Sequence, residues 1–178
     1  SVFADQGKKV LLVDADLRKP TLQRTFGLNN SEGLTTLLTS QNKEAADVIS
    51  QIEGTKLFAL PSGPIPPNPS ELLNSNRMTA LIGKLEQAFD IIIYDMPPIT
   101  SVTDAQIMST KTDGVIFVIR HGVSRKAAVH HAKELLEMVN ANILGVVFNG
   151  VDSNSYSPYD YYGYGYGYGY DGKSEGGA

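Results

Sequence analysis

Val10-Leu11-Leu12-Val13-Asp14-Ala15-Asp16-Leu17-Arg18 is a short apolar run that closes on two carboxylates. The run is continuous rather than alternating, which suits a strand buried on both faces of a parallel sheet. A second stretch repeats the design: Ile91-Ile92-Ile93-Tyr94-Asp95-Met96-Pro97-Pro98. Val115–Ile119 and Ile143–Phe148 are two further apolar runs, and Lys56–Leu60 is a weaker fifth. Helical patterns lie between them. Arg77 to Phe89 places Met78, Leu81, Ile82, Leu85, Ala88 and Phe89 at spacings of three and four. Ser124 is a candidate cap for a helix to about Asn140, with Ala128, Ala132, Leu135, Leu136 and Val139 inward. A short helix is expected from Ser101–Asp104 toward Ser109. Strands alternating with helices predict an α/β fold with a doubly wound, mostly parallel sheet.

In an open α/β sheet, ligands bind beyond the carboxyl ends of the strands. Asp14, Asp16 and Asp95 would all stand at that edge. Three carboxylates there repel one another unless a cation or a proton holds them, and oxygen ligands of this kind suit Mg²⁺. The competing reading is helix capping or loop solvation, since Asp after a strand is common. Five of the nine prolines fall in Pro61–Ser70, either as a rigid connection or as a loop lining a site at the strand ends.

The apolar run ending on Asp95 has the form of a Walker B strand, whose expected companion is a P-loop, G-x-x-x-x-G-K-[ST]. Gly167-Tyr168-Gly169-Tyr170-Asp171-Gly172-Lys173-Ser174 matches that pattern literally. It is rejected, because the motif works only between a strand and a helix N-terminus, and no helix can start in Glu175-Gly176-Gly177-Ala178. Ser1–Gln6 reads instead as the end of a helix with Gly7 as its C-terminal cap. If that helix follows a P-loop, the loop lies upstream of Ser1.

With 178 residues and a net charge of −4, the chain is expected to hold one domain, and nothing in its balance suggests nucleic acid. It has no cysteine, so thiol nucleophiles and zinc–thiolate sites are excluded. No apolar run approaches the roughly 18 residues of a membrane span. His121, His130 and His131 form no set with acidic neighbours and read as surface or packing residues. The expected division is a domain over residues 1–152 and a disordered tail over 153–178.

Eight of the nine tyrosines lie between Tyr156 and Tyr170: Tyr156, Tyr159, Tyr161, Tyr162, Tyr164, Tyr166, Tyr168 and Tyr170. From Gly163 on they alternate with glycine. Such a segment has no aliphatic residue to bury and a high entropy cost of ordering. It is either a generic low-complexity tail or a set of exposed phenols offered to a tyrosine-modifying enzyme.

Together these stretches resemble the bacterial protein-tyrosine kinases that control capsular and exopolysaccharide synthesis. Gly7–Pro20 resembles the Walker A′ motif of that family and Phe89–Pro98 its Walker B motif. Gly63–Leu73 resembles its proline-rich loop, and the terminal tyrosine cluster is a hallmark. The resemblance spans nearly all of the chain. It implies a P-loop NTPase scaffold of the deviant Walker ATPase type and ATP–Mg²⁺-dependent phosphorylation of tyrosine. Asp14 would be the base or orienter of the attacking phenol, and Asp16 and Asp95 would hold Mg²⁺ directly or through water. Arg18 would offset phosphate charge or form a surface ion pair. Asn149 would contact adenine or form a turn, and Arg120 would face the nucleotide or a neighbouring subunit. The eight tail tyrosines would be the phosphoacceptors.

The resemblance further implies homo-oligomeric rings in which one subunit's tail enters the next subunit's site. It implies a membrane-embedded activator (a polysaccharide co-polymerase) that keeps the kinase at the inner face of the cell membrane, and a tyrosine phosphatase that reverses the mark. The family's P-loop and arginine-bearing oligomerisation helix do not occur in these residues. Residues 1–178 alone are therefore expected to bind ATP weakly and to phosphorylate nothing. Two other functions share these features: a non-kinase ATPase switch of the partition or division-site type, and a catalytically dead phosphoacceptor modified in trans.

Overall fold

The computed structural model describes residues 2–151. The chain runs α1 (Val2–Asp5), β1 (Val10–Asp14), α2 (Leu22–Phe26), α3 (Leu34–Thr39), α4 (Ala45–Val48), β2 (Ser50–Gln51) and β3 (Leu57–Leu60). It continues α5 (Pro69–Asn74), α6 (Asn76–Glu86), β4 (Ile91–Asp95), α7 (Asp104–Ser109), β5 (Val115–Arg120), α8 (Lys126–Met138) and β6 (Ile143–Asn149). The alternation of strand and helix expected from the sequence is present, in an α/β fold with a mostly parallel sheet.

β1 lies inside a sheet of order β2-β3-β1-β4. It runs parallel to β3 and β4, and only the two-residue β2 is antiparallel. The apolar run of β1 explains its place: Leu11 and Val13 are fully buried, as are Ala15 and Leu17 just beyond the strand. Leu34, Leu60, Leu73, Met78 and Met108 pack around them from α3, β3, α5, α6 and α7. α6 begins where the Ser75 hydroxyl accepts the Met78 N–H at 3.2 Å. It turns Met78, Leu81, Ile82 and Leu85 into the core, the stripe that spacings of three and four predict.

Two expectations are modified. β5 and β6 pair in parallel as a separate two-stranded sheet, and they are not buried on both faces. Ile116, Val118, Leu144, Val146, Val147 and Phe148 are exposed among the described residues, and since consecutive strand residues face opposite ways, β6 is open on both faces. α8 also starts later than expected, with Arg125 at its cap position. The Ser124 hydroxyl accepts the Arg120 N–H at 3.1 Å and so closes the 120–124 turn instead. Of the inward positions expected on α8, only Ala132 and Leu136 are fully buried.

The proline-rich segment is tied down by its neighbours. Leu34 and Thr35 donate their N–H groups to Pro61 O and Ser62 O, both at 2.8 Å. Asn30 grips the Gly63 peptide twice: its Oδ1 accepts the Gly63 N–H at 2.9 Å and its Nδ2 donates to Gly63 O at 3.0 Å. Gly63 sits at φ +76°, where glycine avoids the strain other residues meet.

Candidate active site

The two carboxylate-bearing strand ends are neighbours. Asp14 and Asp95 are register partners at the ends of β1 and β4, and the Ala15 N–H donates to Asp95 O at 2.9 Å. The shared run-then-Asp design of both strands therefore delivers two acids to one place.

Asp14 is fully buried. Its Oδ2 accepts the N–H groups of Thr21 and Leu22 at 3.0 and 2.9 Å. Its Oδ1 is buried with no hydrogen-bond partner among the described residues. Burial pushes the Asp14 carboxyl up; the backbone N–H groups pull the other way, and the nearby Asp16 adds to the rise. Asp95 also titrates above the ordinary carboxylate range, because the surrounding chain strips part of its water and because Asp14 and Asp16 add negative charge. Asp16 is half-buried, and its Oδ1 accepts the N–H groups of Arg18 and Lys19 at 3.1 and 2.9 Å. That turn fixes the carboxylate relative to the loop after β1.

The Arg18 side chain pairs with a fourth acid. Its Nε donates to Asp104 Oδ2 at 2.8 Å, and its Nη2 donates to Asp104 Oδ1 and to Ser70 Oγ, both at 3.0 Å. Ser70 donates in turn to Asp104 Oδ1 at 2.6 Å. Asp104 is fully buried at the start of α7. Burial opposes its ionisation, but the hydrogen bonds and charge of Arg18 and the Ser70 hydroxyl outweigh that and hold its carboxyl below the usual range. Of the two roles weighed for Arg18 from sequence, the structure displays an ion pair, with a partner that is fully buried.

An open cavity of about 510 Å³ lies beside this edge, between the Arg18–Arg24 stretch and Gly63–Ile65. Asn149 and Arg120 stand opposite one another at the ends of β6 and β5. No described hydrogen bond or ion pair joins either of them to the acidic edge. The tail tyrosines lie outside the described residues, as does the rejected P-loop match.

No group of three or more His, Cys, Asp or Glu side chains is gathered to hold a metal among the described residues. Mg²⁺ does not require such a cage: it keeps several waters and is held by one or two carboxylates plus substrate phosphates. An unpartnered buried carboxylate oxygen on Asp14 and two acids held above their ordinary range fit a cation. Sequence reasoning missed Asp104, Ser70 and Asn30. Asp104 reads as an ordinary helix start and Ser70 as the end of a proline run, and no spacing rule pairs either with Arg18.

Residues 1–143 match the family described as an AAA domain. The chain is 46% identical over 162 residues to tyrosine-protein kinase YwqD of Bacillus subtilis, covering 91% of this chain and 68% of that protein. Among solved structures, it is similar to the kinase domain of Escherichia coli tyrosine kinase ETK, with 32% identity and a TM-score of 0.81. That match covers 95% of this chain and 63% of the other. The chimerical protein CapA2B2 shares 42% identity at a TM-score of 0.77, covering 81% and 63%. The chain thus spans about two thirds of the length of these relatives. No helix among the described residues is long and apolar enough to cross a membrane.

Proposed function

The chain belongs to the tyrosine-protein kinases built on an AAA-type domain, and from that premise we propose that it carries the acidic site and the acceptor tail of an ATP–Mg²⁺-dependent tyrosine autokinase. The observation that carries this reading is the register pairing of Asp14 with Asp95, with Asp16 on the adjoining loop. Relatives named tyrosine-protein kinases do not favour the partition-type ATPase reading. Capsular or exopolysaccharide synthesis is the process we assign to it.

Asp16 and Asp95 are the carboxylates presented for Mg²⁺, directly or through water. The ion, when bound, neutralises charge on the β- and γ-phosphates. Asp14 orients the attacking phenol. The tyrosine oxygen forms a bond to the γ-phosphorus while the bond from that phosphorus to the bridging oxygen breaks. ADP leaves with the electron pair, and the phenol proton passes to Asp14. Because Asp14 Oδ1 is sealed here, this role requires the Ala15–Pro20 loop to shift when nucleotide binds. Positioning and charge neutralisation do most of the work in such a transfer, so a weak base suffices. Asn149 is assigned to the adenine side, and Tyr156–Tyr170 to the acceptors. A membrane-embedded activator, a homo-oligomeric ring at the membrane's inner face and a tyrosine phosphatase complete the proposed setting.

Mass spectrometry of the tail tests the reading. The full-length protein carrying this chain is expressed with its activator in a host lacking tyrosine kinases. Phosphate on Tyr156–Tyr170, lost in Asp14→Ala and in Asp95→Ala, is the expected result. A bare tail on the wild-type protein would sink the kinase assignment.

A further inference from the structure

Asp104 lies outside the three acids assigned to the reaction, yet it is a fully buried carboxylate at the centre of a network. Three separate parts of the chain meet on it. Arg18 comes from the loop after β1, Ser70 from the first turn of α5, and Asp104 itself opens α7. Arg18 is also the residue whose backbone N–H donates to Asp16 Oδ1 at 3.1 Å. One end of Arg18 therefore holds Asp104 while its backbone holds Asp16.

We propose that Asp104 is a positioning residue of the acidic site, acting through Arg18 to fix the Asp16 carboxylate and locking the proline-rich segment to the same loop through Ser70. The proposal rests on the kinase reading for its effect on catalysis, but its geometric core does not.

Chemistry favours this arrangement over a passive ion pair. Two nitrogens of one planar guanidinium contact both oxygens of one carboxylate, so the pair fixes orientation as well as distance. Ser70 Oγ accepts from Arg18 and donates to Asp104, which closes a three-membered ring of hydrogen bonds. A lysine in place of Arg18 would supply charge without that fork. An asparagine in place of Asp104 would keep the shape, remove the charge and lose one acceptor.

Two measurements decide it. The first is amide hydrogen exchange on the 178-residue chain without nucleotide. Asp104→Asn is expected to speed exchange at Arg18 and Leu22 by about tenfold, with β1 unchanged. The second is autophosphorylation of the full-length protein against Mg²⁺ concentration. Asp104→Asn, Arg18→Gln and the double variant are expected to need the same raised Mg²⁺, about fivefold to tenfold above wild type, because all three break one device. Leu81→Val, a core change of comparable destabilisation, is expected to keep the wild-type Mg²⁺ dependence.

Unchanged exchange in the loop would overturn the proposal. So would additive shifts in the double variant, or a Leu81→Val shift as large as that of Asp104→Asn. If the wild-type protein phosphorylates nothing, the kinase reading fails, and hydrogen exchange alone still decides whether Asp104 positions the loop.

Discussion

Gly33→Ala is expected to be one of the most damaging single-methyl additions in the molecule. Gly33 has φ 173°, extended backbone that any residue adopts, so conformation is not the issue. Space is. A Cβ at this position would fall inside van der Waals contact of Pro61 O and Gly63 N, and 2.7 Å from Ser62 C. All three are backbone atoms, so no side-chain end can swing aside. Relief requires α3 and the Pro61–Gly63 segment to separate by roughly an ångström, and that stretches the Leu34 N–H to Pro61 O and Thr35 N–H to Ser62 O bonds beyond useful length. Two hydrogen bonds at about 1 kcal/mol each, with the strain of overpacking, give a loss of about 2–4 kcal/mol. For a domain of this size that lowers the melting temperature by about 5–15 °C. Urea unfolding followed by circular dichroism measures it. Gly83→Ala is the matched control. Gly83 lies inside α6, where an added Cβ would meet nothing within 4 Å beyond the local backbone of its own helix, so alanine there should stabilise by up to about 1 kcal/mol. A Gly33→Ala protein as stable as wild type would refute the close apposition of α3 with the proline-rich segment.

Asp95→Asn is expected to stabilise the nucleotide-free protein while abolishing tail phosphorylation. The sign follows from the raised carboxyls: a folded-state pKa above the unfolded one makes ionisation costly, so wild-type stability falls as pH rises from the ordinary carboxylate range through the raised values of Asp95 and Asp14. The urea midpoint of the variant should exceed that of wild type at pH 7 and converge with it near pH 4; a variant less stable at pH 7 would contradict the shift. Tyr94→Phe removes a buried hydroxyl that has no partner among the described residues and whose pKa burial pushes up, so it should be neutral or stabilising by about 1 kcal/mol. A loss above about 2 kcal/mol in thermal unfolding would mean that the hydroxyl has a partner after all.

β1 was legible because burial on both faces demands an unbroken apolar run, β4 because its run is equally unbroken although Ile93 is exposed, and Asp14 and Asp95 because each run stops on a charge. α6 was legible from its spacing and α7 from its start. The separate β5–β6 pair was not: Val115–Ile119 reads as apolar as β1 does, and composition cannot say which runs share a sheet. The delayed start of α8 was hidden by Ser124, a good capping residue that bonds the Arg120 N–H instead. The Arg18–Asp104 pair spans 86 positions of sequence, and long-range side-chain pairing leaves no periodic trace. The role of Asn30 was hidden for the same reason, since its partner Gly63 is 33 positions away.

The disposition of charge at this edge argues for what the site has to take up. Four acids surround the loop after β1. One of them, Asp104, is neutralised within the protein by the guanidinium of Arg18. Asp14, Asp16 and Asp95 have no ion-pair partner among the described residues. Drawing Arg18 onto a phosphate would strip the buried Asp104 of its cation, and leaving such a charge unpaired costs about 3–5 kcal/mol. The fold therefore commits Arg18 to structure and leaves three carboxylates without an ion pair among the described residues, two of them held above their ordinary range. A positive charge from outside the described residues offsets the repulsion among all three at once. A divalent cation arriving with a polyphosphate does so at the cost of few protein ligands, and its binding energy grows with the repulsion it relieves.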